Sequence, residues 1–292
     1  MPISSIILNE NNLNQTPNTF NVSTQPAPYN RFYLNIPNGV SLKDHQIAIQ
    51  KINTYYSFPN ISVNNYQAAT IKWDIGGVYS TFQWDLTSNY NYSTVSELNN
   101  ALQQFCIENG LYLINGSDNI YYLTLNANPN SYGIDLTLFP VPTSAGSYTE
   151  PINFVGYPSV TKTPKITFKS EFNKIVGFPS LTEYDGGAVQ TTWTSTFSPQ
   201  LSPVSSILVS CNLAHNQLAL NGSSSIMTTF TTTDTIFGGS ISIEPNNIIW
   251  FDINANISSL LIIEFFDQNY NILNLLDPQT TIQLLIRKKT IN

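Results

Sequence analysis

From residue 31 onward, apolar residues mostly fall at every second position, the pattern of strands with one buried face. Phe32, Leu34 and Ile36 alternate with Tyr33 and Asn35, and Pro37-Asn38-Gly39 marks a turn. The next run, DHQIAIQKINTYY, continues the alternation through Ile47 and Ile49. In the middle of the chain, TIKWDIGGVYSTFQWDL predicts two strands about a turn at Gly76-Gly77. One segment changes period. In TVSELNNALQQFCIENG, Val95, Leu98, Leu102 and Phe105 share one helical face, and Thr94 and Glu97 have capping-box spacing. Gly110 is a natural stop for that helix. Strands are expected again in NIYYLTLN and YGIDLTLF, followed by the Pro/Ser/Thr-rich connection VPTSAGSYTEP. KITFKSEFNKIVGFPS then reads as a strand and a short apolar segment.

After about residue 200 the pattern is again strand only. SSILVSCNL alternates through Ile207, Val209, Cys211 and Leu213, and SIMTTFTT, GGSISIEP, NIIWFDI, SLLIIEFF and TIQLLIRK follow with turn signals between them. Both ends of the chain are therefore β-rich, around a middle that alternates strand, strand, helix, strand, strand. Two leading strands do not make a stable sheet alone. The economical arrangement is one β-sandwich made by residues 1–60 and 195–292, with a small α+β domain, residues 61–194, inserted at an exposed loop between two of its strands. The fold class is mainly β.

Composition narrows the function. Only 10% of the 292 residues are charged, against about 25% in ordinary domains, and about one residue in eight is Asn. A surface of amides and hydroxyls suits a protein largely covered by partners, because burying these groups costs less than burying charges. An AT-rich genome would also raise the Asn count. The net charge of −7 offers no footprint for a phosphate backbone, so direct nucleic-acid binding is not expected, and Arg287-Lys288-Lys289 reads as a solvated strand end. No stretch is apolar enough to span a bilayer, and MPISSIILNENN does not read as a signal peptide. Cys106, in the helix, and Cys211, in a strand, give no disulfide framework, which fits a reducing compartment.

Little in the sequence points to catalysis. His45 and His215 are too few for a His-rich metal site, and no cofactor or metal is expected. Cys211 and His215 are four apart, but a strand followed by a turn does not put them on one face, and Cys211 reads as a small core residue. No nucleophile elbow, metalloprotease motif, P-loop or dinucleotide fingerprint occurs. Trp73 and Trp84 flank the Gly76-Gly77 turn on adjacent strands. They are the candidate exposed aromatics of the insert, able to form a sugar-binding platform. The competing reading makes them core or cross-strand aromatics, since such residues suit strands generally.

Four segments taken in order carry a family resemblance. They are YLNIPNGVSLKDHQIAIQKINTYYSFPNIS, the helix segment NYSTVSELNNALQQF, KITFKSEFNKIVGF, and the closing LLIIEFFDQNYNILNLL…TIQLLIRKK. Together they resemble the penton proteins of virophages and Polinton-like viruses, most of all the mavirus type. The resemblance implies a single jelly roll standing upright on a capsid, with the inserted domain on the outer surface. It implies a structural protein, not an enzyme: homopentamers at the five-fold vertices of an icosahedral virion, surrounded by a double-jelly-roll major capsid protein and assembled in the host cytoplasm. It also implies a host-surface receptor as a partner of the insert. The alternative is a β-sandwich attachment protein that binds a host or a polysaccharide.

Overall fold

A computed structural model describes residues 4–8, 31–35, 42–62, 65–202, 204–215, 225–232, 235–253, 260–277 and 279–289, with 4–8, 33–35 and 215 described by their backbone alone. The first strands are β1 (Ser4–Leu8), β2 (Arg31–Asn35) and β3 (His45–Tyr55). Residues 60–203 contribute β4 (Gln67–Ile75), β5 (Val78–Asp85), helix α1 (Val95–Glu108), β6 (Tyr112–Asn115), β7 (Asp118–Tyr121), β8 (Leu123–Asn128), β9 (Gly133–Leu138), β10 (Lys165–Phe168), the single turn α2 (Asn173–Val176), β11 (Glu183–Asp185) and β12 (Thr191–Thr194). The chain ends with β13 (Ile207–Cys211), β14 (Ala214–His215), β15 (Ile226–Phe230), β16 (Ser240–Ile243), β17 (Phe251–Ile253), β18 (Leu260–Phe266) and β19 (Thr281–Lys288). The predicted alternation at Ile36 lies outside the described residues. By internal contacts the chain forms two compact units, residues 1–59 with 204–292 and residues 60–203.

In the first unit the strand pairs are nested. β1 pairs with β19, β2 with β18, β3 with β16 and β17, and β13 with β15, every pair antiparallel. First meets last and second meets second-last, as in one long hairpin rolled over itself. Two further pairings, β19 with β3 and β13 with β18, join alternate rungs, and a third adds β14 to β17, giving the sheets β1-β19-β3-β17-β14, with β16 also on β3, and β15-β13-β18-β2. That is the strand order of a jelly-roll β-sandwich. Its core is made where the two sheets face each other: Ile47, Ile49 and Ile52 of β3 and Ile282 and Leu284 of β19 cluster with Val209 and Cys211 of β13 and Leu261, Ile263 and Phe265 of β18.

The spacing Ile47, Ile49, Ile52 breaks strict alternation. β19 runs Leu284↔Ile49 and then Gln283↔Lys51, so Gln50 is an extra residue on β3 and points to solvent. This bulge returns Ile52 to the core face.

The second unit is built from local pieces. β4 and β5 form a hairpin across Gly76 (φ +60°) and Gly77 (φ +99°), the positive values that a two-residue turn of type I′ requires. Helix α1 starts with the predicted capping box: Thr94 Oγ1 accepts from Glu97 N at 3.2 Å, and Glu97 Oε2 accepts from Thr94 N at 3.3 Å. Its buried face is Leu98, Leu102, Phe105 and Cys106. Asn99 Oδ1 accepts from Leu125 N at 2.9 Å and ties the helix to β8. At Gly110 (φ +66°) a Cβ would stand 1.9 Å from the Asn153 carbonyl oxygen, so the stop is also a close approach that only glycine permits.

The expected single strand NIYYLTLN is two. β7 pairs with β6, β8 pairs with β9, and the break falls at Tyr122, whose ring is buried edge-on against Trp73. The sheets are β11-β10-β4-β5, β12-β9-β8 and the β6-β7 hairpin. Residues 195–203 stay with this unit: Phe197 N donates to Gly177 O, Gln200 N to Lys174 O and Asn60 Nδ2 to Leu201 O. No described helix is long and apolar enough to cross a membrane.

Candidate functional site

The expectation of an exposed aromatic pair on the insert is corrected by burial. Trp73 is 1% exposed and Trp84 is fully buried. They do lie on adjacent strands, as the turn between them requires, but both rings face the core. Trp73 packs edge-on to Tyr122 at 5.7 Å and donates from Nε1 to the Gly156 carbonyl at 3.0 Å. Trp84 packs edge-on to Phe172 at 5.8 Å. Indole rings bury large apolar areas, and where a sheet has one dry face they go to it. Trp193 lies edge-on to Tyr184, and Trp250 lies under the Arg287 guanidinium at 4.0 Å. The four indoles make no common platform.

The cysteines are core residues. Cys211 is buried in the sandwich and its thiol is pushed up to about 11, chiefly by burial; burial likewise pushes the Cys106 thiol up to about 12. Both stay protonated near neutrality, so neither supplies a thiolate. His215 pairs with Asp252, and Asp252 with Gln46, so the sheet brings His215 and His45 to neighbouring rungs. The His45 ring bonds through Nδ1 to the Lys43 carbonyl at 2.7 Å. Among the described residues no three His, Cys, Asp or Glu side chains gather as a metal ion would need.

The most organised polar surface is one that sequence reading passed over. It is the outward face of the sheet β11-β10-β4-β5. Register places Lys72 opposite Lys165, Lys165 opposite Asp185, Thr167 opposite Glu183, and Lys72 opposite Thr81. Two lysines directly across a rung repel. Glu183 resolves this by accepting from Lys72 Nζ at 2.6 Å and Lys165 Nζ at 3.0 Å, while Asp185 lies 2.9 Å from Lys165. The ammonium groups of Lys162 and Lys165 stand over the Tyr79 ring at 5.1 and 4.8 Å.

Beside this ladder sits Asp74, whose side chain is 1% exposed. It accepts from Lys162 Nζ at 2.9 Å, Gly77 N at 2.9 Å and Ser159 N at 3.3 Å. One carboxylate therefore closes the β4–β5 turn and pins the 156–162 segment.

Charge states follow from these contacts. Burial works against ionising Asp74, but the Lys162 bond and the two backbone donors outweigh it and hold its carboxyl below the usual range. Lys72 first and Lys165 second hold Glu183 low. Burial opposes ionisation of Asp185 too, and its bond to Lys165 prevails. In return Lys165 is held above the ordinary lysine range by Asp185 and Glu183, and Lys162 by Asp74. Asp74, Glu183 and Asp185 are thus ionised and each engaged by a lysine, so none of the three is poised to exchange a proton near neutrality. The arrangement fixes a surface; it is not a reaction centre. The only sequence signal was the every-second placement of polar residues in TIKWD and KITF, which says nothing about which strands meet.

No family model matches the chain, and no curated protein matches it in sequence. Among solved structures it is similar to the crystal structure of a selenomethionine-labelled mavirus penton protein, with 14% identity over 98% of each chain and a TM-score of 0.41.

Proposed function

We propose that this chain is a structural capsid protein that forms homopentameric capsomers at the five-fold vertices of an icosahedral virus particle. The observation that carries the reading is the nested pairing of the sandwich strands, from Ser4↔Ile286 inward, with the middle unit standing between β3 and β13. Jelly rolls recur in viral capsids, lectins and cupins. A lectin reading built on the Trp73–Trp84 pair would need those indoles exposed, and both are buried. A cupin reading would be supported by a histidine cluster, and the chain has two histidines. The low charge content and the order of the four penton-like segments favour the capsid role.

In this reading five copies close a ring through head-to-tail contacts, each burying on the order of 1,000 Å². The rim of each jelly roll meets a double-jelly-roll major capsid protein, and the insert faces outward, toward a host receptor. The protein is a virion component assembled in the host cytoplasm. It makes no direct contact with nucleic acid, in keeping with its charge of −7. Its role is assembly, not catalysis.

Light scattering coupled to size exclusion tests this. The expected mass is five times 32.6 kDa, with five-fold rings by negative-stain microscopy. A stable trimer would overturn the vertex reading and favour the attachment-protein alternative.

A further inference from the structure

β5 is the terminal strand of its sheet, and at eight residues it is the longest terminal strand among the described elements. Open edges are usually guarded by a proline, a lysine, a bulge or brevity. The opposite edge of the same sheet is guarded: β11 has three residues, and Glu183 and Asp185 flank Tyr184. β5 reads Val-Tyr-Ser-Thr-Phe-Gln-Trp-Asp, with no proline, no lysine and a single charge at its end.

Among the described residues, the turn geometry shows which backbone groups are open. A two-residue hairpin closes on a hydrogen-bonded pair, here Ile75 and Val78, and pairs alternate from there. Val78, Ser80 and Phe82 therefore bond to β4. The N–H and C=O groups of Tyr79, Thr81 and Gln83 point away from the sheet.

These open groups are symmetric about Thr81. We propose that β5 pairs with β5 of a second copy of this chain, antiparallel and about a two-fold axis through Thr81, joining two four-stranded sheets into one. Tyr79 then exchanges hydrogen bonds with Gln83 of the partner subunit, and Thr81 with Thr81 of the partner subunit, giving about six backbone bonds over the three rungs. Side chains agree with this register. A Thr–Thr pair at the axis is favourable, and the two Asp85 carboxylates lie at opposite ends, so no like charges meet. On the other face, Val78, 71% exposed in this chain, comes opposite Trp84 of the partner subunit and gains cover. The occupant is a second copy because this edge is complementary to itself, in hydrogen bonds, in length and in charge. The contact is a two-fold one, so it is not the ring-closing five-fold contact, and it does not depend on the vertex reading.

The test uses the full chain, as wild type and as Thr81→Pro and Thr81→Lys. Neither substitution removes a β4 bond, because the Thr81 N–H points outward, and circular dichroism serves as the check that each variant keeps the wild-type spectrum. Mass by light scattering across a concentration series should show the wild type doubling, whether from one to two or from five to ten copies. The variants should stay at the lower mass. In the wild type, exchange of the Tyr79, Thr81 and Gln83 amides should slow tenfold or more with rising concentration. Equal masses for all three proteins, or exchange that ignores concentration, would overturn the pairing. Doubling without five-copy rings would instead overturn only the vertex reading.

Discussion

The two compact units solve the same problem, burying a β-sheet face, by opposite routes. In the middle unit most pairs are neighbours along the chain: β4 with β5, β6 with β7, β8 with β9. In the sandwich the outer pairs span nearly the whole chain, Ser4 with Ile286 and Arg31 with Glu264, and only inner ones such as β13 with β15 are local. Local contacts form fast and carry little loop-closure cost, whereas long-range pairs must wait for the chain to close. The middle unit is therefore the part that its own sequence can organise, and the sandwich is the part that needs both ends of the chain at once. The sandwich is held by pairing its two chain ends, and the middle unit by its own apolar core together with the ties of Asp74.

The largest test of this contrast removes a core ring from one unit only. Phe265→Ala in the sandwich should cost about 3–5 kcal/mol, as fully buried phenylalanines do. In denaturant unfolding followed by tryptophan fluorescence, Trp250 reports the sandwich and Trp73, Trp84 and Trp193 the middle unit. The Trp250 transition should shift while the others hold; a common shift would show that the units unfold as one.

A smaller effect is expected at the ionic tie. Asp74→Asn should destabilise the middle unit by about 3 kcal/mol, the lower end for breaking a buried pair, because Lys162 can turn to water. The pH dependence has a defined sign. Asp74, Glu183 and Asp185 have lowered carboxyl pKa values, so their contribution is present above about pH 4 and is lost as pH falls through the lowered values. Lys162 and Lys165 are raised, so their contribution holds below about pH 10.5 and is lost above it. From about pH 4 to about pH 8 the stability of the middle unit should be flat; above about pH 8.5 it should fall, because the buried Cys106 thiol, pushed up to about 12, ionises first in the unfolded chain. Asp74→Asn should weaken the acid-side slope. An unchanged slope would show that the tie contributes nothing.

At the helix start, Thr94→Ala should cost about 1 kcal/mol by loss of the cap, with Thr94→Ser retaining most of it. The smallest effect is at the sandwich surface, where Arg287→Ala loses the contact over Trp250 and should cost about 0.5–1 kcal/mol, with a change in Trp250 emission. An emission spectrum identical to wild type would mean that the guanidinium does not sit on the ring in solution.

Much of the local structure is legible in the sequence alone. Thr94 and Glu97 announce the helix start because both partners of the capping box lie within one turn. Gly76-Gly77 announces the hairpin because only positive φ at both positions lets two strands return side by side. Tyr122 shows the limit. Its run reads as one strand, and the break becomes visible only when the ring has found Trp73. Glu183 is a stronger case, since nothing within the triplet EYD shows that two lysines, one 111 residues away and the other 18, will share its carboxylate.

What the sequence determined by itself is most of the longer strands, the helix, the Gly76-Gly77 turn and the two faces of those strands, because these depend on neighbours a few residues apart. What only the tertiary structure decided is which face meets what. Alternation gives Trp73 and Trp84 a common side of their hairpin but does not say whether that side is wet or dry. Packing against Tyr122 and Phe172 makes it dry. The nesting of first strand with last was settled in the same way, because the partner of each strand is chosen by the burial of a whole core and not by anything written within the strand.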